Sequence, residues 1–165
     1  FTLAADQGHA DAQNNLGDMY RIGQGVEPDV KRALGLYTLA AEQGHADAQY
    51  QLGYMYGTGT GIKPDVKRAL ELYTLAADQG NAGAQFNLGT MYANGESVER
   101  SLTTAREWFT KSAAQGYERA ITALKRFRKF TDNNRDWFTK SAAQGHEDVI
   151  AALKKLRKFT DNNVK

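Results

Sequence analysis

The sequence contains no cysteine, has only two prolines and carries no long apolar run. Without cysteine there is no disulfide framework, no thiolate metal site and no cysteine nucleophile. No stretch approaches the roughly 18 consecutive apolar residues of a membrane-spanning helix, and no signal-peptide pattern is visible. The prolines, Pro28 and Pro64, stand 36 residues apart, so they mark a period and not a linker. An initiator methionine is also missing. The opening letters Phe1-Thr2 correspond to Tyr37-Thr38 and Tyr73-Thr74 inside a repeat, so the chain is expected to start partway through a helix and to be part of a longer protein.

What is present is self-similarity. The string from Leu3 to Gln13 returns at 39–49 and again at 75–85, and residues 3–38 match 39–74 at 26 of 36 positions. A repeat of this length is one supersecondary unit that cannot bury its apolar face alone, so copies must stack. The 165 residues show no composition break, and a single domain is expected over 1–165. Its units are 3–38, 39–74, 75–110, a shortened 111–139 and a cap-like 140–165.

The net charge of +2 conceals a gradient. Residues 1–106 hold 8 basic and 12 acidic side chains, whereas 107–165 hold 13 basic and 7 acidic ones. The array is therefore charged along its length, negative first and positive last.

Within one unit, Ala12, Leu16, Met19 and Tyr20 follow the spacing of an amphipathic helix. Gly23 and Gly25 are placed to end it. A second helix is expected to open near Pro28-Asp29 and run through Val30, Ala33, Leu34, Tyr37, Ala40 and Ala41 to Gly44. Small residues such as Ala12, Gly17, Ala33 and Ala40 allow close helix approach. Each unit thus reads as a helical hairpin, helix A then helix B, and five units give about ten helices in an all-α solenoid.

The period breaks after residue 110. Residues 107–135 and 136–164 match each other at 21 of 29 positions, seven residues shorter than the earlier unit. Arg128 and Arg157 stand where Tyr20 stands in the first copy. Arginine in place of an inter-unit aromatic suits a terminal cap whose outer face meets water, so this segment reads as a cap copied in tandem.

These residues resemble the Sel-1-like repeat family, relatives of tetratricopeptide repeats. The family pattern appears as Leu16-Gly17-Asp18-Met19-Tyr20, Gly23-Gln24-Gly25-Val26, Asp29, Ala33, Tyr37, Ala40-Ala41 and Gln43-Gly44. The resemblance is specific over 3–110 and partial over 111–165. It implies a right-handed α-solenoid used as an adaptor or scaffold, in settings such as protein quality control, signalling and bacteria–host contact. The family has a disulfide-bonded subgroup, to which a chain without cysteine does not belong.

Positions that change while the framework stays fixed point to a binding face. In helix A these are 14, 18, 21 and 22, which project opposite the apolar stripe and, in similar arrays, line the concave surface. The candidate residues are Asn14, Asp18 and Arg21 in the first unit, Tyr50 and Tyr54 in the second, and Phe86 and Thr90 in the third. Arg126 and Lys129 follow in the fourth, and Lys155 and Lys158 in the fifth. The expected partner is a protein or peptide, its acidic end toward residues 126–158. Tyr50, Tyr54 and Phe86 would be anchors, since rigid aromatics dominate interface hot spots. The alternative is that they only cover the neighbouring hairpin.

Other signals are set aside. The basic runs 125–129 and 154–158 invite a nucleic-acid or anionic-membrane reading. Each has four basic residues, with apolar residues such as Leu124 and Phe127 placed to pack inward and acidic residues nearby, so a solvated helix face is preferred. The glycines of Gly57-Thr58-Gly59-Thr60-Gly61 lack the lysine of a P-loop and align with Gly23 and Gly25. His9, His45 and His146 recur one unit apart and cannot converge on a metal. No catalytic residue, cofactor, metal or small-molecule substrate is expected. A basic module docking on nucleic acid or lipid, or a purely structural spacer, remains the alternative function.

Overall fold

The computed structural model describes residues 2–129. Contacts divide the chain into two units, Phe1–Ile121 and Thr122–Lys165. The first holds α1 (Thr2–Asp6), α2 (Ala10–Ile22), α3 (Val30–Glu42), α4 (Ala46–Thr58), α5 (Val66–Asp78), α6 (Ala82–Asn94) and α7 (Leu102–Ala114). An eighth helix, α8, covers 118–129, and of the second unit only residues 122–129 are described. The rest of the shortened fourth unit from residue 130, the cap-like fifth unit 140–165 and the run 154–158 lie outside the described residues.

The ends of each helix follow from local chemistry. Helices α2, α4 and α6 stop at Gly23, Gly59 and Gly95, all left-handed with φ of 75–76°, where glycine carries no Cβ penalty. Each of these glycines donates its N–H to a methionine carbonyl one turn back, at 2.8–2.9 Å. Helix α3 is capped by Asp29, whose carboxylate accepts from the Arg32 N–H at 3.0 Å, and Asp65 repeats this for α5. Pro28 thus precedes the cap instead of sitting in the first helical turn. The third copy lacks the Pro-Asp pair, and Ser101 takes over as cap, accepting from Thr104 N–H at 3.2 Å.

Helix A packs on helix B of its own hairpin in the pairs α2–α3, α4–α5 and α6–α7, and α3–α4 and α5–α6 join successive hairpins. Ala33, Ala40, Ala48, Ala69, Ala76 and Ala84 lie at these crossings with essentially no exposure, so the backbones approach closely. Leu52, Met55 and Leu88 fill the space between, each contributing about 2 kcal/mol through burial. Gly17 and Gly53 are necessary here, because a Cβ would stand 2.9–3.0 Å from the rings of Tyr37 and Tyr73.

A polar thread runs through this apolar stack. Buried Gln13, Gln49 and Gln85 each donate to a carbonyl of the preceding helix B, Ala5, Ala41 and Ala77. Each also accepts from a glutamine at the end of its own hairpin, Gln43, Gln79 and Gln115, at 2.7–2.9 Å. One side chain therefore ties three helices and leaves none of its own polar atoms unsatisfied.

Candidate partner-binding face

The variable positions of helix A fall on one face of the first unit, but they do not form a uniform surface. Asp18 accepts the hydroxyl proton of Tyr37 at 2.7 Å and an amide N–H of Gln51 at 3.2 Å. Arg21 donates from Nε to the same Tyr37 oxygen at 3.2 Å, and its guanidinium lies 3.6 Å from Asp18. Burial works against the Arg21 charge, yet the Tyr37 hydroxyl and the Asp18 carboxylate outweigh it and raise its pKa. Burial, reinforced by the bond to Asp18, holds the Tyr37 hydroxyl well above the usual phenol range. In the first hairpin the polar groups of this face are thus committed to one another.

Asn14 is buried at 7% exposure, and its Oδ1 meets no partner among the described residues. It offers no free side chain to an incoming molecule. The counterparts Tyr50 and Phe86 are half-buried. The Tyr50 ring covers Gly83, where a Cβ would stand 2.9 Å from it, and its centroid lies 6.1 Å from that of Tyr73. Burial and a hydrogen bond with the Tyr117 hydroxyl push the Tyr50 pKa up. Phe86 sits 5.5 Å from Phe109 and 5.6 Å from Tyr117, with the Arg119 guanidinium 4.6 Å from its ring centre. Helical spacing places these aromatics on the outward face, but the next hairpin leans over them.

Tyr54 differs. It stands 47% exposed at the position Asp18 holds one repeat earlier. Thr90, the third member, is half-buried and donates its hydroxyl to the Phe86 carbonyl at 3.1 Å. Arg126 and Lys129 are exposed on α8 and belong to the second unit, together with exposed Lys125 and Arg128 and half-buried Leu124 and Phe127. Lys155 and Lys158 lie outside the described residues.

Several residues of this face escaped the sequence reading. Helical spacing places Tyr37 only along the second helix, yet it is fully buried and its hydroxyl bonds Asp18 of the face, and Tyr73 is its counterpart. Gln51 and Asn87 share with Asn15 a position that changes identity but carries an amide in all three full-length repeats, and that restriction was the available signal. The turn position of the histidines does more than turn. His45 Nδ1 accepts from Ala48 N–H at 3.2 Å, while Nε2 lies 3.1 Å from Asp11. Asn81 repeats both contacts, capping at Ala84 N–H and donating to Asp47 at 2.7 Å.

Electrostatically the centre of the face is bare. Helix α6 carries no charged residue, and the single charge on α4 is Asp47, already bonded to Asn81. Among the described residues no group of three His, Asp or Glu side chains gathers to hold a metal. No described helix is long and apolar enough to cross a membrane.

Residues 10–45, 46–81, 82–117 and 135–146 match the Sel1 repeat. The fold is similar to that of a Sel1 repeat protein from Oxalobacter formigenes, 37% identical with a TM-score of 0.66 over 71% of this chain and 48% of that one. It is also similar to c5321, a protective antigen of uropathogenic Escherichia coli with an SLR fold, 34% identical with a TM-score of 0.73 over 88% of this chain and 32% of that one. Cysteine-rich protein B of Helicobacter pylori shares the fold at 21% identity and a TM-score of 0.59, over 73% of this chain and 92% of that one. The chain therefore spans under half the length of the first two. No curated protein matches the sequence.

Proposed function

The chain belongs to the Sel1 repeat family, whose members are typically protein-interaction scaffolds, and on that premise we propose that it binds a partner protein or peptide along its helix A face. The observation that carries this reading is Tyr54, a large aromatic left 47% exposed where the surrounding framework is otherwise repeated. Half-buried Tyr50, its ring packed over Gly83 and 6.1 Å from that of Tyr73, provides a ledge beside it. A rigid aromatic of this kind, with only two side-chain torsions to fix, loses little entropy on binding, which is what an interface anchor requires.

The family is typically non-enzymatic, and the one charged cluster of this face, Asp18 with Tyr37, Gln51 and Arg21, is bonded within itself. The test is affinity capture with the intact protein and with a Tyr50, Tyr54 and Phe86 alanine variant. Loss of the captured partner from the variant, with helicity retained by circular dichroism, supports the reading. Undiminished capture removes it. Charge reversal at Lys125, Arg126, Lys154 and Lys155 is expected to leave capture largely intact.

A further inference from the structure

The first two hairpins differ at one polar site in a way that specifies a ligand. In the first, the Tyr37 hydroxyl donates to the carboxylate of Asp18, which also accepts from the Gln51 amide. In the second, the donors persist while the carboxylate is gone. Tyr73 repeats Tyr37 and Asn87 repeats the Gln51 amide, but Tyr54 stands where Asp18 stood. The Asn87 amide acts as a donor toward the Tyr73 hydroxyl, favouring its ionised form, and among the described residues no carboxylate accepts from that hydroxyl.

The approach to Tyr73 is open. Gly57 stands where Arg21 stands in the first hairpin, and it is exposed. A Cβ built there would meet only Ala69 at 3.6 Å and the Tyr73 hydroxyl at 3.7 Å, which is ordinary contact with free space beyond. The Arg21 side chain thus has no counterpart in the next repeat, and the Tyr73 hydroxyl lies beneath exposed Gly57. Farther along the face, Arg119 lies over Phe86 with no carboxylate partner among the described residues. The walls between are uncharged except for Asp47, which Asn81 occupies. An exposed cation beside uncharged walls favours an acidic partner.

We propose that the second hairpin binds an acidic segment of a partner protein, a glutamate or aspartate side chain entering over Gly57 to take the Tyr73 and Asn87 donors as Asp18 takes Tyr37 and Gln51. The chain carries its own template of the complex in its first repeat. Tyr54 flanks the entering residue, and Arg119 attracts a further acid of the same segment. The inference rests on the peptide-binding reading above and adds the chemistry of the ligand.

The test uses three short fluorescent peptide pools that differ only in carrying glutamate, glutamine or lysine at the fixed positions, measured by fluorescence polarisation. The glutamate pool is expected to bind about tenfold or more tighter than the glutamine pool, the size of a hydrogen bond to a charged group. Tyr73→Phe should remove that difference. The double variant Tyr54→Asp with Gly57→Arg rebuilds the first repeat's closed set in the second, so it should fold and yet lose the glutamate pool. Equal binding of the glutamate and glutamine pools, or preference for lysine, overturns the acidic inference and leaves the peptide-binding reading standing. Competition by polyuridylate as effective as that by the glutamate pool overturns it as well, in favour of nonspecific polyanion attraction. Binding of no pool removes both readings.

Discussion

The Tyr37 hydroxyl donates to the Asp18 carboxylate at 2.7 Å, across two helices of one hairpin and 19 residues of sequence. The bond ties a fully buried core tyrosine to a residue of the face and commits that residue's carboxylate. Its counterpart Tyr73 keeps the ring, the burial and the position, but not the acceptor. Two hairpins with nearly the same backbone thus present different chemistry on the same face.

That relationship predicts an alkaline response. Burial first, and Asp18 second, raise the Tyr37 pKa, and burial raises that of Tyr73 against the opposing bond from Asn87. A phenol held protonated by the fold contributes its full stabilisation below its unfolded pKa of about 10. Above that pH the unfolded chain releases the proton and the native one does not, so stability falls as pH rises toward the native pKa. In an ultraviolet titration of the native protein, fewer than its eight tyrosines should ionise near pH 10. All should do so in denaturant. If all ionise together near that pH in the native state, the raised values are wrong.

The glutamine thread predicts where single polar deletions hurt. Replacing Gln49 by leucine removes the donor to the Ala41 carbonyl and the acceptor for Gln79. Ala41 still accepts from Gly44, and Gln79 is solvent-exposed, so the loss should be about 1–2 kcal/mol. Urea unfolding should show a lower midpoint with an unchanged slope. A wild-type midpoint in Gln49→Leu would mean the thread holds no net energy.

Much of this was legible in the letters, for definable reasons. The period of Pro28 and Pro64, the αL glycines Gly23 and Gly59, and the aspartates at 29 and 65 act through local backbone geometry. Sequence spacing reports such geometry directly. The thread from Gln49 to Gln79 spans 30 residues, and it depends on how far one hairpin is offset from the next. The burial of Asn14 and the covering of Phe86 by Tyr117 depend on the same offset. Helical spacing gives the direction of a side chain and says nothing about what leans over it.

The caps offer a graded check. Asp65 accepts from the Arg68 N–H at 3.0 Å, and its own backbone N–H is held by the Tyr56 carbonyl at 2.9 Å. Asp65→Ala should cost about 1 kcal/mol and Asp65→Ser much less, because serine caps the corresponding helix at Ser101. Thermal melts of the two variants separate a capping role from a charge role. If serine were as damaging as alanine, the carboxylate charge and not the capping bond would be the stabilising element.

Gly83 and Gly89 predict opposite tolerance for the same methyl group. In a helix interior alanine is favoured over glycine by about 1 kcal/mol, a gain that applies to Gly89 and less to Gly83 in the first turn of α6. At Gly83 the new Cβ would stand 2.9 Å from Tyr50, a half-buried ring whose outer edge can swing toward solvent. At Gly89 it would stand 2.7 Å from Phe109, which is buried, and 3.1 Å from the Ala105 backbone carbonyl. Neither Phe109 nor the α7 backbone can withdraw without opening the α6–α7 crossing. Gly83→Ala should therefore fall within about 1 kcal/mol of wild type, while Gly89→Ala loses about 1–3 kcal/mol through overpacking. Gly83→Ala should also disturb the Tyr50 ledge, so its effect appears in partner affinity more than in stability. Equal destabilisation by the two variants would show that the Tyr50 ring is held as firmly as Phe109, and the ledge would then be core.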